Sequence, residues 1–261
     1  MTQDQEFHTS HDILDPARIA ALAATLSLPD ATPRPFWHQI YFWDAQSPKS
    51  LGRDGHPATG GLIPDLGLPR RMWAGGRLRF HATPTLGTQA TKTTTLLRAD
   101  RKTGRTGPLG LVTLRHEVSQ DGQLLVSEEQ DLIYRAADAP KGTPPPAPDD
   151  QTTRKTHIFT PTELFRYSAL TFNGHRIHYD RDYATGVEGY GGLVVHGPLL
   201  AQYVMLMAED LLGAVRRFDF RATAPLMDGE EATFCARPEG DGLTLWARAA
   251  DGRQCLTATA A

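Results

Sequence analysis

The sequence predicts an α+β chain of two similar halves, each a β-meander gathered around a helix, and three observations carry that expectation. From Phe218 onward, apolar residues alternate with polar ones in short segments separated by Asp-Gly pairs at 228–229, 241–242 and 251–252, the pattern of strands joined by tight turns. Just before them, Pro198 opens LLAQYVMLMAEDLL, which is apolar on nearly every side and closed by Gly213, as expected of a helix buried in its own domain. Thirdly, Phe80-His81-Ala82-Thr83-Pro84 is echoed by Phe220-Arg221-Ala222-Thr223-Ala224, and each is followed by a Leu, a Gly and an Ala-Thr pair. Two related folding units explain that echo.

A long buried helix followed by a meander is the arrangement known as a hotdog fold, and two in one chain make a double hotdog. The expected division is residues 1–136, a connector at 137–150, and residues 151–261. The connector, ADAPKGTPPPAPDD, is rich in proline and acidic residues and has no apolar periodicity, so it reads as exposed and semi-extended.

In the first half, Asp15 caps a helix whose first position is Pro16, with Ile19, Leu22, Ala23 and Leu26 on one face. From Arg77 to Tyr134 the pattern is that of antiparallel strands. Leu78 and Phe80 alternate with polar residues, 91–97 is rich in β-branched side chains, and Asp121-Gly122 turns one strand into the next. The second half opens with Thr160-Pro161-Thr162-Glu163, a capping box with proline at the first helical position, followed by Leu164, Tyr167, Ser168 and Thr171 at helical spacing.

Composition narrows the function classes. The 261 residues are 40% hydrophobic and 22% charged, and no apolar run approaches the roughly 20 residues a membrane helix needs. The N-terminus shows no basic region followed by an apolar core, so a cytoplasmic address is expected. Two cysteines, Cys235 and Cys255, without ligand spacing, give no disulfide framework or zinc site. A net charge of −3 offers no long-range attraction to nucleic acid or anionic lipid.

The chemistry concentrates in FNGHRIHYDRDY, which runs from Phe172 to Tyr183 and sets two histidines three apart beside an asparagine and an arginine. Together with the downstream GGLVVHGPLLAQ, this stretch resembles the hydratase segment of MaoC-like dehydratases and (R)-specific enoyl-CoA hydratases, and more closely the type 2 hydroxyacyl-thioester dehydratases. In the first half, DGHPATGGLIPDLGLPRRMWAGG resembles bacterial members that hydrate mesaconyl-C4-CoA and itaconyl-CoA. The family signature is Asp-x-Asn-Pro-aliphatic-His. The resemblance places its aspartate on Asn173, its asparagine on His175, its proline on Arg176 and its histidine on His178.

The first match is a departure. A carboxylate and a histidine can hold and deprotonate a water together, whereas an amide holds the water without taking its proton. His178 is then expected as general base, since an unperturbed histidine titrates near pH ~6.5, with Asn173 orienting the water. Either His178 acts nearly alone or another carboxylate helps, and Asp180 is the nearby candidate.

Addition of water to an enoyl thioester drives negative charge onto the carbonyl oxygen. Gly197, at the start of the buried helix and still carrying an N–H, is the expected donor to it. His196 stays outside the expected catalytic set. Arg176 either pairs with a substrate carboxylate or CoA phosphate, or forms a structural ion pair. The first half shows no matching Asn/His pair and is expected to wall the acyl tunnel with Arg70, Arg71 and Trp73, which also suit a domain interface.

What the resemblance implies is an acyl-CoA hydratase acting on a branched C4-dicarboxylyl-CoA such as mesaconyl-C4-CoA or itaconyl-CoA. Its rivals are a 3-hydroxyacyl-thioester dehydratase of fatty-acid synthesis, a non-catalytic acyl-CoA-binding protein and a thioesterase. No cofactor and no metal are expected, CoA being part of the substrate. A pseudo-dimer within one chain allows a monomer, and a homodimer is equally allowed.

Overall fold

In a computed structural model, residues 6–57, 61–104, 107–137 and 142–261 are described. The first half contributes β1 (Phe7–Ile13), α1 (Pro16–Thr25), β2 (Arg70–Phe80), β3 (Gln89–Gly104), β4 (Gly107–Gln120) and β5 (Gln123–Arg135). The second contributes β6 (Thr153–Ile158), α2 (Pro161–Thr171), α3 (Gly197–Leu212), β7 (Arg217–Ala222), β8 (Glu231–Glu239), β9 (Gly242–Ala249) and β10 (Gln254–Ala260).

Among the described residues, the strands form one antiparallel sheet of ten in the order β1-β3-β4-β5-β2-β7-β10-β9-β8-β6. Counted from either edge toward the centre, each half presents its first, third, fourth, fifth and second strand. The echo in the sequence is this repeat, because Phe80 and Phe220 lie on the equivalent strands β2 and β7. Those two strands pair with each other, Gly75 opposite Arg221 through Arg79 opposite Arg217, so the two expected sheets join edge to edge and neither central edge is left unpaired.

Local chemistry sets the elements as read. Asp15 accepts from the N–H of Ala17 at the start of α1, and Thr160 accepts from that of Glu163 at the start of α2. The Glu163 carboxylate does not complete the box; it bonds His157 and the Tyr203 hydroxyl. Asp121 and Gly122, both at positive φ, turn β4 into β5, as a two-residue hairpin requires. The β8–β9 turn is Gly240-Asp241, one residue earlier than the Asp-Gly pair suggests, because Gly242 already pairs with Glu239.

The halves differ in their filling. In the second, Leu199, Leu200, Val204, Met205, Met207 and Ala208 of α3 are buried against the sheet. In the first, among the described residues, no long helix lies between α1 and β2; the short 3-10 turn Trp37–Ile40 lies there, with Trp37 and Ile40 buried. The buried Gln202 of α3 donates to the Pro35 carbonyl at 2.8 Å, tying that turn to the second half. Residues 138–141 of the connector lie outside the described residues. Beyond them, Ala147 donates to Gly252 and Gln254 to Pro145, which lays the proline-rich strand along the β9–β10 hairpin.

Candidate active site

Helix α2 ends where Phe172 turns left-handed, at φ 53, and the N–H of Asn173 bonds back to the Ser168 carbonyl. Asn173 Oδ1 then accepts from the N–H of His175 at 3.0 Å, an Asx turn that starts the short 3-10 turn Arg176–His178. Val194 clamps that turn twice. Its N–H donates to Ile177 O at 2.9 Å, and its carbonyl accepts from His178 Nδ1 at 2.7 Å.

A carbonyl can only accept, so Nδ1 carries the proton and His178 Nε2 keeps its lone pair. That nitrogen has no protein partner among the described residues, and His178 lines a cleft of about 2280 Å³. The ring is 6% exposed and stacks on His196, centroids 3.7 Å apart. Burial, and then the neighbouring His175, push its pKa down to about 3. His178 is therefore neutral, tautomerically fixed and held on both sides.

The cleft also contains residues that motif reasoning missed. Asp54-Gly55-His56, in the first half, meets Asn173-Gly174-His175 backbone to backbone. Arg176 N donates to Asp54 O at 2.8 Å. A Cβ on Gly55 would overlap the Gly174 carbonyl, and one on Gly174 would lie 2.7 Å from Gly55 O. Only glycine fits on either side. Both tripeptides make the same turn, His56 N donating to Asp54 Oδ1 at 3.1 Å, and their histidine rings sit 4.3 Å apart. The signal that could have found them is D-G-H answering N-G-H, although nothing in the sequence shows that the two loops touch.

Electrostatically the cluster is an anion among neutral rings. Burial opposes the charge on Asp54, but the donors of His56 and the field of His175 outweigh it and hold the carboxyl down to about 2. Burial and the repulsion of His56 lower His175 to about 3 despite Asp54. Burial likewise lowers His56, with Arg71 adding to the effect. Asp54, His56 and His175 offer three donor atoms within 4.8 Å of one another and could hold a divalent ion.

Other expected residues divide into those that reach the cleft and those that do not. Gly197, Trp73, Arg70 and Arg71 line it. Trp73 stacks on Phe220 with centroids 4.4 Å apart, and a Cβ on Gly197 would lie 2.6 Å from its ring. Gly197 thus makes room for the indole, and its N–H, in the first turn of α3, has no acceptor among the described residues. Arg70 is drawn to Glu188 at 3.5 Å, while Arg71 has no ion-pair partner among the described residues.

Arg176 is not among the residues that line the cleft. It donates twice to Asp180 Oδ2, at 3.0 and 2.7 Å, donates to the Arg53 carbonyl, and lies 4.2 Å over the Tyr183 ring. Of the two readings held open for it, the geometry gives the structural ion pair. Asp180 spends its other oxygen on the N–H of Tyr183, so it does not steer His178. Asn173 is engaged as a turn-former through Oδ1.

His196, left out of the expected set, is completely buried beneath His178 and shares a 2.7 Å hydrogen bond with Ser168 Oγ. Its spacing from His178 gives no hint of the stacking. Among the described residues, three buried polar atoms without hydrogen-bond partners border the same cleft: Trp73 Nε1, Tyr134 Oη and Tyr167 Oη. Buried polar atoms are normally satisfied, so this grouping suits a polar ligand.

A neutral histidine stacked on His196, the residue that caps the buried helix, in a double hotdog is an arrangement able to activate water beside a thioester. Residues 36–228 match the profile of the family described as hydroxyacyl-thioester dehydratase type 2. The mesaconyl-C(4)-CoA hydratase of Chloroflexus aurantiacus is 43% identical over 93% of this chain and 90% of its own.

Among solved structures, a MaoC-like dehydratase from Phytophthora capsici superposes with a TM-score of 0.75 at 13% identity, over 98% of this chain and 95% of its own. A Mycobacterium tuberculosis protein described as a double hotdog fold gives 0.60 at 16% identity, over 99% and 95%. The chain belongs to the type 2 hydroxyacyl-thioester dehydratase family.

Proposed function

We propose that this enzyme adds water reversibly to an α,β-unsaturated acyl-CoA, with a branched C4-dicarboxylyl-CoA, mesaconyl-C4-CoA first and itaconyl-CoA second, as its substrate. The observation that carries the reading is His178, whose Nδ1 is committed to Val194 O and whose Nε2 is left to act at the cleft. In the forward direction, water oxygen bonds to the β-carbon, the π pair moves through the α-carbon toward the thioester oxygen, and the water proton passes to His178 Nε2. The Gly197 N–H receives the developing enolate oxygen. The proton on Nε2 then passes to the α-carbon, which restores the neutral histidine and balances the reaction.

The thioester acidifies its own α-carbon, so the reaction needs no group beyond CoA itself. The 43% identity to a mesaconyl-C(4)-CoA hydratase supports the dicarboxylate substrate. Arg71, the one of the three expected arginines with no ion-pair partner among the described residues, is the fork that meets the distal carboxylate, since a charge left unpaired in a cleft is costly to bind. Trp73 forms the wall beside the thioester. The cleft volume of about 2280 Å³ exceeds the needs of a C4 acyl group. This favours, as the second reading, dehydration of a longer 3-hydroxyacyl thioester.

The test is mass spectrometry with crotonyl-CoA, mesaconyl-C4-CoA, itaconyl-CoA and a C8 enoyl-CoA. Gain of one water on the dicarboxylyl thioesters is the expected result. Turnover of the C8 substrate alone supports the second reading, and release of free CoA contradicts both.

A further inference from the structure

We propose that Asp54 of the first half supplies the carboxylate that the signature position lacks, acting as a positioning residue through His175. Asp54, His56 and His175 bring three donor atoms within 4.8 Å of one another, and the His175 ring meets that of His178 edge to face at 5.4 Å. This inference rests on the hydratase reading and says how the same site works without an aspartate at position 173.

The need for such a group follows from the mechanism. For part of the cycle, the proton taken from water makes an imidazolium of His178, a group 6% exposed between two other histidines. A buried cation without a counter-charge is costly. Asp180, the carboxylate nearest in sequence, is occupied by Arg176 and Tyr183 N. Glu188 bonds Tyr183 and faces Arg70. Among the described residues, Asp54 is the acidic group whose oxygen reaches a nitrogen of the histidine cluster.

Its position is built rather than incidental. Oδ1 is fixed by the N–H of His56, Oδ2 lies 3.5 Å from His56 Nδ1, and the Gly55–Gly174 contact fixes the loop against the signature loop. During turnover the proton goes from water to His178 and on to the α-carbon. Asp54 keeps its charge throughout and lowers the energy of the imidazolium through His175. The same three residues resemble a metal-binding set, but the guanidinium of Arg71 acts on both histidines and opposes a second cation there.

The test compares wild type, Asp54→Asn, His175→Gln, the Asp54→Asn/His175→Gln pair and Asp54→Asn/Asn173→Asp on mesaconyl-C4-CoA, with melting curves alongside. Asp54→Asn should lower kcat about 100-fold, within the range for loss of one electrostatic stabiliser, and change KM less than threefold. The pair with His175→Gln should be no slower than His175→Gln alone, since the two residues act as one unit. Asn173→Asp should restore at least tenfold of the lost rate by returning a carboxylate to the signature position.

Asp54→Asn within threefold of wild type overturns the proposal, as does full activity in a folded His175→Gln should Asp54→Asn not fold. Loss of wild-type turnover on chelation, restored by zinc, overturns it in favour of a metal site. A wild type inactive on every thioester overturns the hydratase reading itself, and with it the role assigned to Asp54.

Discussion

His56 and His175, 119 residues apart in sequence, face each other with ring centroids 4.3 Å apart, held there by two glycines in backbone contact. The junction predicts a specific mutant phenotype. Gly55→Ala must place a side chain at φ +88 and against the Gly174 carbonyl. Gly213→Ala, at φ +78 with open space around it, bears the conformational cost alone, about 1–2 kcal/mol. Thermal melts should show Gly55→Ala clearly the less stable of the two, with turnover lowered because Asp54 and His56 move. Equal melting temperatures would show that the two loops part freely.

The pH–rate profile should lack the usual histidine limb. An exposed histidine base is protonated as the pH falls through ~6.5, whereas His178 is held down to about 3 and stays basic well below that. We expect kcat/KM to remain level from pH 7 to pH 5.5. A fall centred near ~6.5 would show that the working base is solvated.

Stability should respond to acid in the opposite manner. His175 and His178 titrate at about 3 when folded and near ~6.5 when unfolded, and His196 is also held well below its ordinary value. Between these limits the unfolded chain binds more protons, so the stability these groups contribute, complete above about pH 6.5, is lost as the pH falls. Melting temperature should drop steadily from pH 7.5 to pH 4.5. A flat response would mean that these rings are not buried neutral.

The arginines should separate cleanly. Arg71→Ala should raise KM for mesaconyl-C4-CoA at least tenfold and that for crotonyl-CoA much less. Arg176→Ala should leave both KM values within about threefold and lower the melting temperature through loss of the Asp180 and Arg53 contacts. Steady-state kinetics on the two substrates decides, and the reverse pattern would put Arg176 in the substrate site.

Much of the fold was readable because local rules and tertiary demands agree here. Asp15 and Thr160 cap the helices they announce, Asp121-Gly122 makes its hairpin, and the Phe80 and Phe220 segments lie on equivalent strands. The edge strands β1 and β6 were not read, since neither Phe7–Ile13 nor Thr153–Ile158 has a buried residue to mark an alternation. At the site, His178 was expected from the family signature, Gly197 from the helix start and Trp73 as an aromatic beside two arginines, and all three line the cleft. Asp54, His56 and His196 were not expected, because their roles come from contacts between distant loops, to which neither helical nor strand periodicity corresponds. Arg176 and Asp180 show the converse: four residues apart, they satisfy each other.

Reaction of mesaconyl-C4-CoA in oxygen-18 water and, separately, in deuterium oxide tests the account most directly. For wild type we predict one heavy oxygen on the β-carbon and one deuterium on the α-carbon. The rate should fall by about 100-fold or more in His178→Ala, as expected for removal of a general base. Unlabelled thioester with free CoA accumulating, or undiminished labelling in His178→Ala, would contradict it.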